Sequence, residues 1–263
     1  MSDNSEQADQ ADLLRRENRL LEERIGELSS ELEIVNKELE SYTHMISHDF
    51  KAPLRSIDGY LFMLMDDFSD SLSPAAVNYI HSARKSAIWM SELIRDFVRF
   101  SQNSRKTLNK EYLYPAKIAY NCLKELSYML SDCDCEVIVE DMPRVYADRD
   151  LLRQVYINLI SNAIKFTNGR KPAIITIGSY LEEENRVYFV EDNGTGFDMK
   201  YKDQIFQIFS SLDNSGESGS TGVGLAIAKK SIDRHKGSIW VRSAKGKGTT
   251  FFFSLPGLPE NGE

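Results

Sequence analysis

The first part of the chain carries a regular heptad pattern of apolar residues. From residue 13 to 46, apolar side chains recur at alternating spacings of four and three, and Asn18 is the polar member of the series. This repeat predicts a coiled coil over residues 13–45, and an asparagine at an a position favours a parallel two-stranded register. An amphipathic helix packed within one chain is the alternative, but a repeat this long favours dimerisation. The positions are Leu14, Asn18, Leu21, Ile25, Leu28, Leu32, Val35, Leu39, Tyr42 and Ile46.

The apolar stripe continues beyond the heptads and predicts a helical hairpin. Because apolar residues recur at helical spacing through residues 50–64, we expect the first helix to continue past Pro53 with a kink. The polar segment 66–73 ends this helix, and Ser73-Pro74 is typical of the N-cap and first position of a second one. Two helices joined by a short loop predict a hairpin over residues 46–104, which forms a four-helix bundle when two chains pair.

The remaining sequence mixes helices and strands and predicts an α+β domain over residues 111–257, after a polar linker at 101–110. The order of the elements predicts one sheet covered on one face by helices. Residues 1–12 are expected to be disordered, and residues 258–263 form a C-terminal tail. The predicted helices are Pro115–Leu130, Asp148–Phe166 and Val223–His235, and the predicted strands are Glu136–Val139, Ala173–Tyr180, Arg186–Glu191, Ser238–Arg242 and Thr249–Leu255.

Composition is typical of a soluble cytoplasmic protein and disfavours two kinds of partner. A net charge of -8 gives no electrostatic support for binding nucleic acid or an anionic membrane. No apolar run reaches the ~20 residues of a membrane helix, and the acidic N-terminus differs from a secretory signal. The three cysteines, Cys122, Cys133 and Cys135, are expected to be free thiols in a reducing compartment.

Among the four histidines, His48 has the position best suited to chemistry. It lies two residues from both Ile46 and Phe50, about 200° around the helix from the apolar stripe, so its ring is expected to face solvent. The neighbouring Asp49 can hold the tautomer that leaves the other ring nitrogen free to attack. Taken alone, the pair is equally consistent with a solvated surface histidine beside an aspartate. A metal site with His44 would need a third ligand nearby.

A second group of residues suits a nucleotide. Asn158, Asn162 and Lys165 fall on one face of a predicted helix, where asparagine oxygens suit Mg²⁺ and the lysine suits phosphate. At the end of a predicted strand, the carboxylate of Asp192 can accept a hydrogen bond from the amine of adenine.

Glycine-rich segments accompany these residues. Gly194 and Gly196 follow Asp192 and let a base approach the backbone. The segment Ser218–Gly224 leads into a helix, and its glycines would present N–H groups and a positive helix end to phosphate. The polar segment 213–221 is expected to be a lid over the triphosphate.

In this order, the segments resemble the motifs of the sensor histidine kinases of two-component systems. The resemblance covers about residues 40–255, and the amino-acid sequence around His48 is similar to that of kinases of the bacterial phytochrome branch. Ser47–Leu54 resembles the H box, Asn158–Thr167 the N box, Asp192–Gly196 the first glycine box, Phe206–Phe209 the F box, Gly222–Leu225 the second glycine box and Gly246–Thr249 the third.

The resemblance implies an ATP-dependent protein-histidine kinase that forms a homodimer and phosphorylates a response-regulator receiver domain. His48 would be the phosphoacceptor, Asp49 its hydrogen-bonding or general-base partner, and Asn162 a Mg²⁺ ligand supported by Asn158. The family fold joins a helical dimerisation and phosphotransfer domain to an ATP-binding sandwich, and the coiled coil offers an attachment for an upstream sensor module. The remaining ATP-binding residues would be Lys165, Asp192, Gly194, Gly196, Phe206, Phe209, Gly222, Val223, Gly224, Leu225 and Thr249.

One departure and two alternatives qualify this interpretation. Ala52 stands four residues after His48, where relatives with strong phosphatase activity carry Thr or Asn, so weak or absent phosphatase activity is expected. A gyrase- or Hsp90-type ATPase would share the nucleotide motifs but has no use for an exposed Ser-His-Asp. A noncatalytic dimeric scaffold that binds response regulators would need none of the nucleotide residues. Acid-labile label on the protein would distinguish a histidine kinase from the ATPase. Binding of an ATP analogue would distinguish it from the scaffold.

Overall fold

The structure is a computed structural model that describes residues 2–102, 108–131, 133–182, 185–210 and 221–256. Within helices and strands, the side chains of residues 2–13, 36, 39, 40, 43, 44, 48, 102 and 185 lie outside this description. Most of the predicted lid, the middle of the predicted linker and the predicted C-terminal tail also lie outside it. The chain divides into two units, Met1–Asp49 and Phe50–Glu263.

The first unit is one continuous helix, the beginning of α1, which spans Ser2–Phe68. Residues 2–12 are helical here, although the sequence predicts disorder. This stretch lacks Pro and Gly, and Glu6, Gln7, Ala8, Gln10 and Ala11 favour a helix. The helix also continues past Pro53, as predicted. The heptad residues with described side chains are exposed in the single chain, as expected for one strand of an unpaired coiled coil.

The second unit begins with a helical hairpin. Residues 50–68 of α1 are followed by a short 3₁₀ turn, Ser69–Ser71, and by helix α2, Pro74–Gln102. The Ser73 hydroxyl accepts a hydrogen bond from the backbone N–H of Ala76 at 3.3 Å, which confirms the predicted cap. An ion pair of 2.9 Å between Asp58 and Arg84 joins the two helices, whose buried apolar residues include Leu54, Ile80 and Ala87.

The rest of this unit is an α+β fold with a five-stranded sheet in the order β2-β4-β5-β7-β6. The β2–β4 pair is parallel and the other neighbours are antiparallel, while β1 and β3 form a separate antiparallel pair. The strands are β1 (Lys110–Leu113), β2 (Cys135–Val139), β3 (Val145–Asp148), β4 (Ala173–Glu182), β5 (Asn185–Asp192), β6 (Ser238–Ala244) and β7 (Gly248–Ser254). The helices are α3 (Pro115–Glu125), α4 (Ser127–Ser131), α5 (Arg149–Thr167) and α6 (Gly224–Arg234).

Alternation along the central strands decides which face of the sheet the helices cover. Tyr188 and Val190 of β5 and Phe253 of β7 join the core with α5, and the Tyr156 ring meets Phe253 edge-on at 5.6 Å. Residues of opposite parity lie on the other face, where Trp240 stacks on Phe252 at 5.6 Å. This arrangement confirms the predicted α/β layering.

Two local predictions need correction. The predicted helix Pro115–Leu130 is broken at Leu126, which lies between α3 and α4. Strands β1 and β3 were not predicted, because each has only four residues and they pair across about 35 positions of sequence. In the described part of the chain, no helix combines the length and apolarity that crossing a bilayer requires.

Candidate nucleotide-binding site

Asp192 is a buried carboxylate at the end of β5. Its side chain is 5% exposed, and Oδ1 accepts a hydrogen bond from the backbone N–H of Gly194 at 2.9 Å. Burial raises the pKa of Asp192 to about 6, while backbone hydrogen bonds from Gly194 and Thr249 act in the opposite direction. Thr249 is also the residue opposite Asp192 in the β5–β7 register. The site therefore places a buried hydrogen-bond acceptor, whose two backbone donors favour the ionised form, between two loops.

The loop after Asp192 is packed so closely that it requires glycine. A Cβ on Gly194 would lie 2.3 Å from the Phe166 carbonyl oxygen. Gly196 has φ +57, and a Cβ there would lie 2.1 Å from the Ala244 carbonyl oxygen. The glycines thus bring the loop against the end of α5 and the β6–β7 hairpin, beyond the predicted role of admitting a base.

The polar face of α5 extends from this loop toward α6. Asn158, Asn162 and Lys165 are all half-buried on it. The Asn158 amide donates to the Gln154 carbonyl at 2.8 Å, and its Oδ1 lies so near Gly224 that a Cβ there would be 2.7 Å away. The Lys165 ammonium lies 5.3 Å from the centre of the Phe166 ring. This face therefore runs beside the beginning of α6.

The beginning of α6 has the geometry of an anion site. Gly222 has φ +66, and a Cβ there would lie 2.8 Å from the Ser210 carbonyl oxygen. Val223 is fully buried, Gly224 is the first helical residue, and Leu225 packs partly against the core. A helix N-terminus presents backbone N–H groups and the positive end of its dipole.

The two phenylalanines of the F-box segment have different surroundings. Phe206 packs edge-on against Phe251 at 6.3 Å, on the core of the α+β fold. Phe209 is 56% exposed, has φ +63, and stacks on Phe97 of α2 at 6.1 Å. The hydroxyl of Thr221 donates to Asp96 of α2 at 2.8 Å. Both flanks of the segment 211–220 therefore contact α2.

Helix α5 carries or contacts several of the predicted nucleotide residues. Its C-terminal end meets the first glycine loop, where the Thr195 N–H donates to the Phe166 carbonyl at 3.0 Å. Its middle carries Asn158 beside Gly224. Phe209 points away to α2. His48 and Asp49 belong to the first unit, and the side chain of His48 lies outside the described residues.

Two residues at the site were not predicted from the sequence. One Arg170 nitrogen, Nη2, donates to the carbonyl oxygens of Gly194 and Gly246, each at 2.9 Å. The Ser243 hydroxyl donates to the Gly248 carbonyl and accepts from the Phe197 N–H, both at 2.9 Å. Neither residue belongs to a motif, and their contacts with Gly194, Gly246 and Phe197 span 24 to 76 positions of sequence, so no spacing pattern indicates them.

Two family models match the chain. Residues 38–105 match the His Kinase A (phospho-acceptor) domain, and residues 147–259 match the histidine kinase-, DNA gyrase B- and HSP90-like ATPase. The chain belongs to the histidine kinase family. The first match contains His48 and the whole hairpin, and the second contains every predicted nucleotide residue.

Known proteins and solved structures are similar to most of this chain. The phytochrome-like protein Cph1 of Synechocystis sp. is 34% identical over 234 residues, which are 89% of this chain and 31% of Cph1. The histidine kinase therefore spans about a third of that relative's length. Full-length ShkA with AMPPNP superposes with a TM-score of 0.60 at 22% identity, over 82% of this chain and 45% of ShkA. ThkA in complex with the response regulator protein TrrA superposes with a TM-score of 0.58 at 23% identity, over 84% of this chain and 62% of that chain. At these identities the two structures show the fold.

Proposed function

We propose that this histidine kinase uses ATP to phosphorylate its own His48 and then transfers the phosphoryl group to an aspartate of a response-regulator receiver domain. The observation that carries the proposal is the buried carboxylate of Asp192, held by two backbone N–H groups between glycine loops. It occurs in a chain whose phospho-acceptor match contains His48. A nucleotide site and an acceptor histidine in one chain are the two parts that autophosphorylation requires.

The base would bind beside the C-terminal end of α5, and the phosphates would lie along the α5 face toward the start of α6. Asp192 would accept a hydrogen bond from the adenine amine, with Gly194, Gly196 and Thr249 fixing the carboxylate. The start of α6, from Gly222 to Leu225, and Lys165 would bind the phosphates. Phe206 and Phe209 would anchor the lid predicted at residues 213–221.

The residues on α5 fit a magnesium ion bound together with ATP. The Asn162 side chain is half-buried one turn after Asn158, and its carbonyl oxygen is a hard ligand of the kind Mg²⁺ prefers. In the described part of the chain, no three His, Cys, Asp or Glu side chains cluster as a metal site. Phosphate and water oxygens would therefore complete the coordination. When bound, the ion would neutralise charge on the phosphates.

In the proposed reaction, a ring nitrogen of His48 attacks the γ-phosphorus in line. A P–N bond forms as the P–O bond to ADP breaks, and Asp49 hydrogen-bonds the ring and takes up its proton. The phosphoramidate then passes its phosphoryl group to the receiver aspartate. We assign dimerisation to the coiled coil at 13–45 and the hairpin at 46–104, nucleotide binding to residues 111–257, and sensor attachment to the coiled coil.

The test is autophosphorylation of His48→Gln beside a matched control, His81→Gln. His81 is an exposed histidine on α2, so the two variants lose the same chemical group. With radiolabelled ATP we expect His48→Gln to lose acid-labile, base-stable label by at least about 10³-fold while its affinity for ATP stays within about twofold. His81→Gln should label like the unmodified chain. Full labelling of His48→Gln would refute the assignment.

A further inference from the structure

Arg170 links three elements around the buried carboxylate. It lies three residues beyond the end of α5, and its backbone N–H donates to the Thr167 carbonyl at 2.9 Å. The two hydrogens of its Nη2 amino group reach the carbonyls of Gly194 and Gly246, both at 2.9 Å. One side chain, anchored at a helix end, therefore holds both the first glycine loop and the β6–β7 hairpin.

Both carbonyls belong to the two segments that position Asp192. The N–H of Gly194 donates to the Asp192 carboxylate, so Arg170 binds the oxygen of the residue whose nitrogen orients that carboxylate. Gly246 lies in the turn that leads to Gly248 and Thr249, and Gly248 is so close that a Cβ would be 2.0 Å from the Asp192 carbonyl oxygen. A shift of either loop would therefore move a hydrogen-bond donor to Asp192.

The other contacts between these loops are weaker constraints on orientation. The Gly246 N–H donates to the Thr195 carbonyl at 2.6 Å, and the Thr195 N–H donates to the Phe166 carbonyl at 3.0 Å. These are single neutral hydrogen bonds between backbone atoms. A guanidinium is planar and charged, and its hydrogen bonds are stronger and more directional than neutral ones. Arg170 is thus a charged and directional connection between the two loops and α5, in addition to the neutral contacts that the Ser243 hydroxyl makes with Phe197 and Gly248.

We propose that Arg170 is a positioning residue for adenine recognition, which fixes the two loops so that the Asp192 carboxylate faces the exocyclic amine of the base. The inference rests on the proposed function, in which Asp192 reads adenine. Arg170 would not touch the nucleotide. Its removal should therefore reduce discrimination at the base more than binding of the phosphates.

The experiment compares the affinities of the 263-residue chain for ATP and for purine riboside triphosphate, which lacks the amine. The ratio of the two dissociation constants measures base reading and cancels the phosphate contribution. We expect a preference of about tenfold or more for ATP in the unmodified chain, the size that one hydrogen bond to a charged group gives. Arg170→Met should remove most of that preference, and Arg170→Lys, whose ammonium has donors for both carbonyls, should restore part of it.

The controls separate this inference from the proposed function. Arg144→Met also removes an arginine, but Arg144 lies over the Tyr112 ring in the small β1–β3 sheet, so it should keep the preference. Should Arg170→Met fail to fold, Arg170→Gln is measured instead. Its amide retains a donor without the positive charge, and a loss of the preference for ATP in this variant supports the positioning role in the same way. An unchanged preference in a folded Arg170 variant overturns the positioning role and leaves the proposed function intact. An unmodified chain without preference, or an Asp192→Asn variant that keeps it, overturns both.

Discussion

At the scale of single residues, Asp192 shows how the fold prepares an ionisable group for binding. Desolvation raises its pKa to about 6, and two backbone hydrogen bonds limit that increase. Above that pH the carboxylate is ionised and can only accept hydrogen bonds. Below it the free protein binds a proton, and the neutral carboxyl is a weaker acceptor for an amine donor.

This titration predicts a pH dependence of base reading. The preference for ATP over purine riboside triphosphate should be constant above about pH 7 and decline as the pH falls through 6 toward 5. Isothermal titration calorimetry across this range measures both affinities, and their ratio removes the titration of the phosphates. In Asp192→Asn the ratio should be small at every pH. A ratio in the unmodified chain that does not change between pH 7 and 5 would exclude Asp192 as the base acceptor.

The residues that the sequence could indicate are those whose chemistry and spacing coincide. Asp192 follows a strand and precedes two glycines, and Asn158 and Asn162 lie one helical turn apart. Arg170 and Ser243 hold the same loops together, but they do so through backbone atoms that only the fold brings near. Patterns of residue type report side-chain chemistry, and contacts to distant backbone leave no such pattern.

At the scale of elements, a buried histidine joins α6 to the beginning of α5. His235 is 2% exposed; its Nε2 accepts from the Asp148 N–H at 2.9 Å, and its Nδ1 donates to the Ser231 carbonyl at 2.7 Å. Asp148 in turn caps α5 by accepting from the Leu151 N–H. Burial lowers the pKa of His235, assisted by Lys110 and opposed by the hydrogen bond to Ser231. The neutral ring therefore connects the two helices that carry the nucleotide residues.

Replacing this histidine should destabilise the catalytic domain in a pH-dependent way. His235→Leu leaves the Asp148 N–H without its acceptor, so we expect a loss of about 1–3 kcal/mol in the free energy of unfolding at pH 7.5. The folded-state pKa is below its ordinary value of 6.5, so the histidine's contribution is complete above pH 6.5 and declines as the pH falls below it. The difference between variant and unmodified chain should therefore narrow at pH 5.5.

Denaturant unfolding at the two pH values measures this difference, and His81→Leu on the surface of α2 is the control. A His235→Leu variant that is as stable as the unmodified chain at pH 7.5 would show that the histidine is only a space-filling residue. A difference that grows as the pH falls would mean that the ring is protonated in the folded protein, contrary to the direction of the pKa shift.

The elements predicted correctly from the sequence are long and strongly periodic. Helix α5 and the strands of the five-stranded sheet each carry enough apolar residues at one spacing to define a buried face. The break at Leu126 and the four-residue strands β1 and β3 depend on tertiary packing and distant pairing. A local pattern contains too few positions to specify them.

At the scale of the whole molecule, the exposed heptad stripe of α1 predicts a dimer. Its apolar side chains are exposed in the single chain, for example Ile25 at 64% and Leu32 at 62%. Two apolar residues outside the a and d positions are equally exposed, Leu20 at 66% and Ile34 at 57%. Single-chain burial therefore does not distinguish the two pairs, whereas a coiled coil would bury only the first.

Charge substitutions in these two equally exposed pairs test the predicted register. We expect Ile25→Asp with Leu32→Asp to raise the dimer dissociation constant at least about tenfold, because each would bury a carboxylate at an a position. Leu20→Asp with Ile34→Asp should leave it within about threefold. Sedimentation equilibrium measures both. Equal effects of the two pairs would contradict the predicted register, and a monomeric unmodified chain would contradict dimerisation.

The most direct test of the central claim is to locate the phosphoryl group after the pure chain reacts with Mg-ATP. Peptide mapping by mass spectrometry under alkaline conditions, which preserve phosphoramidates, should find one phosphorylated histidine, His48, and a receiver domain added afterwards should remove the group. Release of free phosphate with no phosphorylated peptide would indicate an ATPase and contradict the account, as would a phosphoryl group on any other residue.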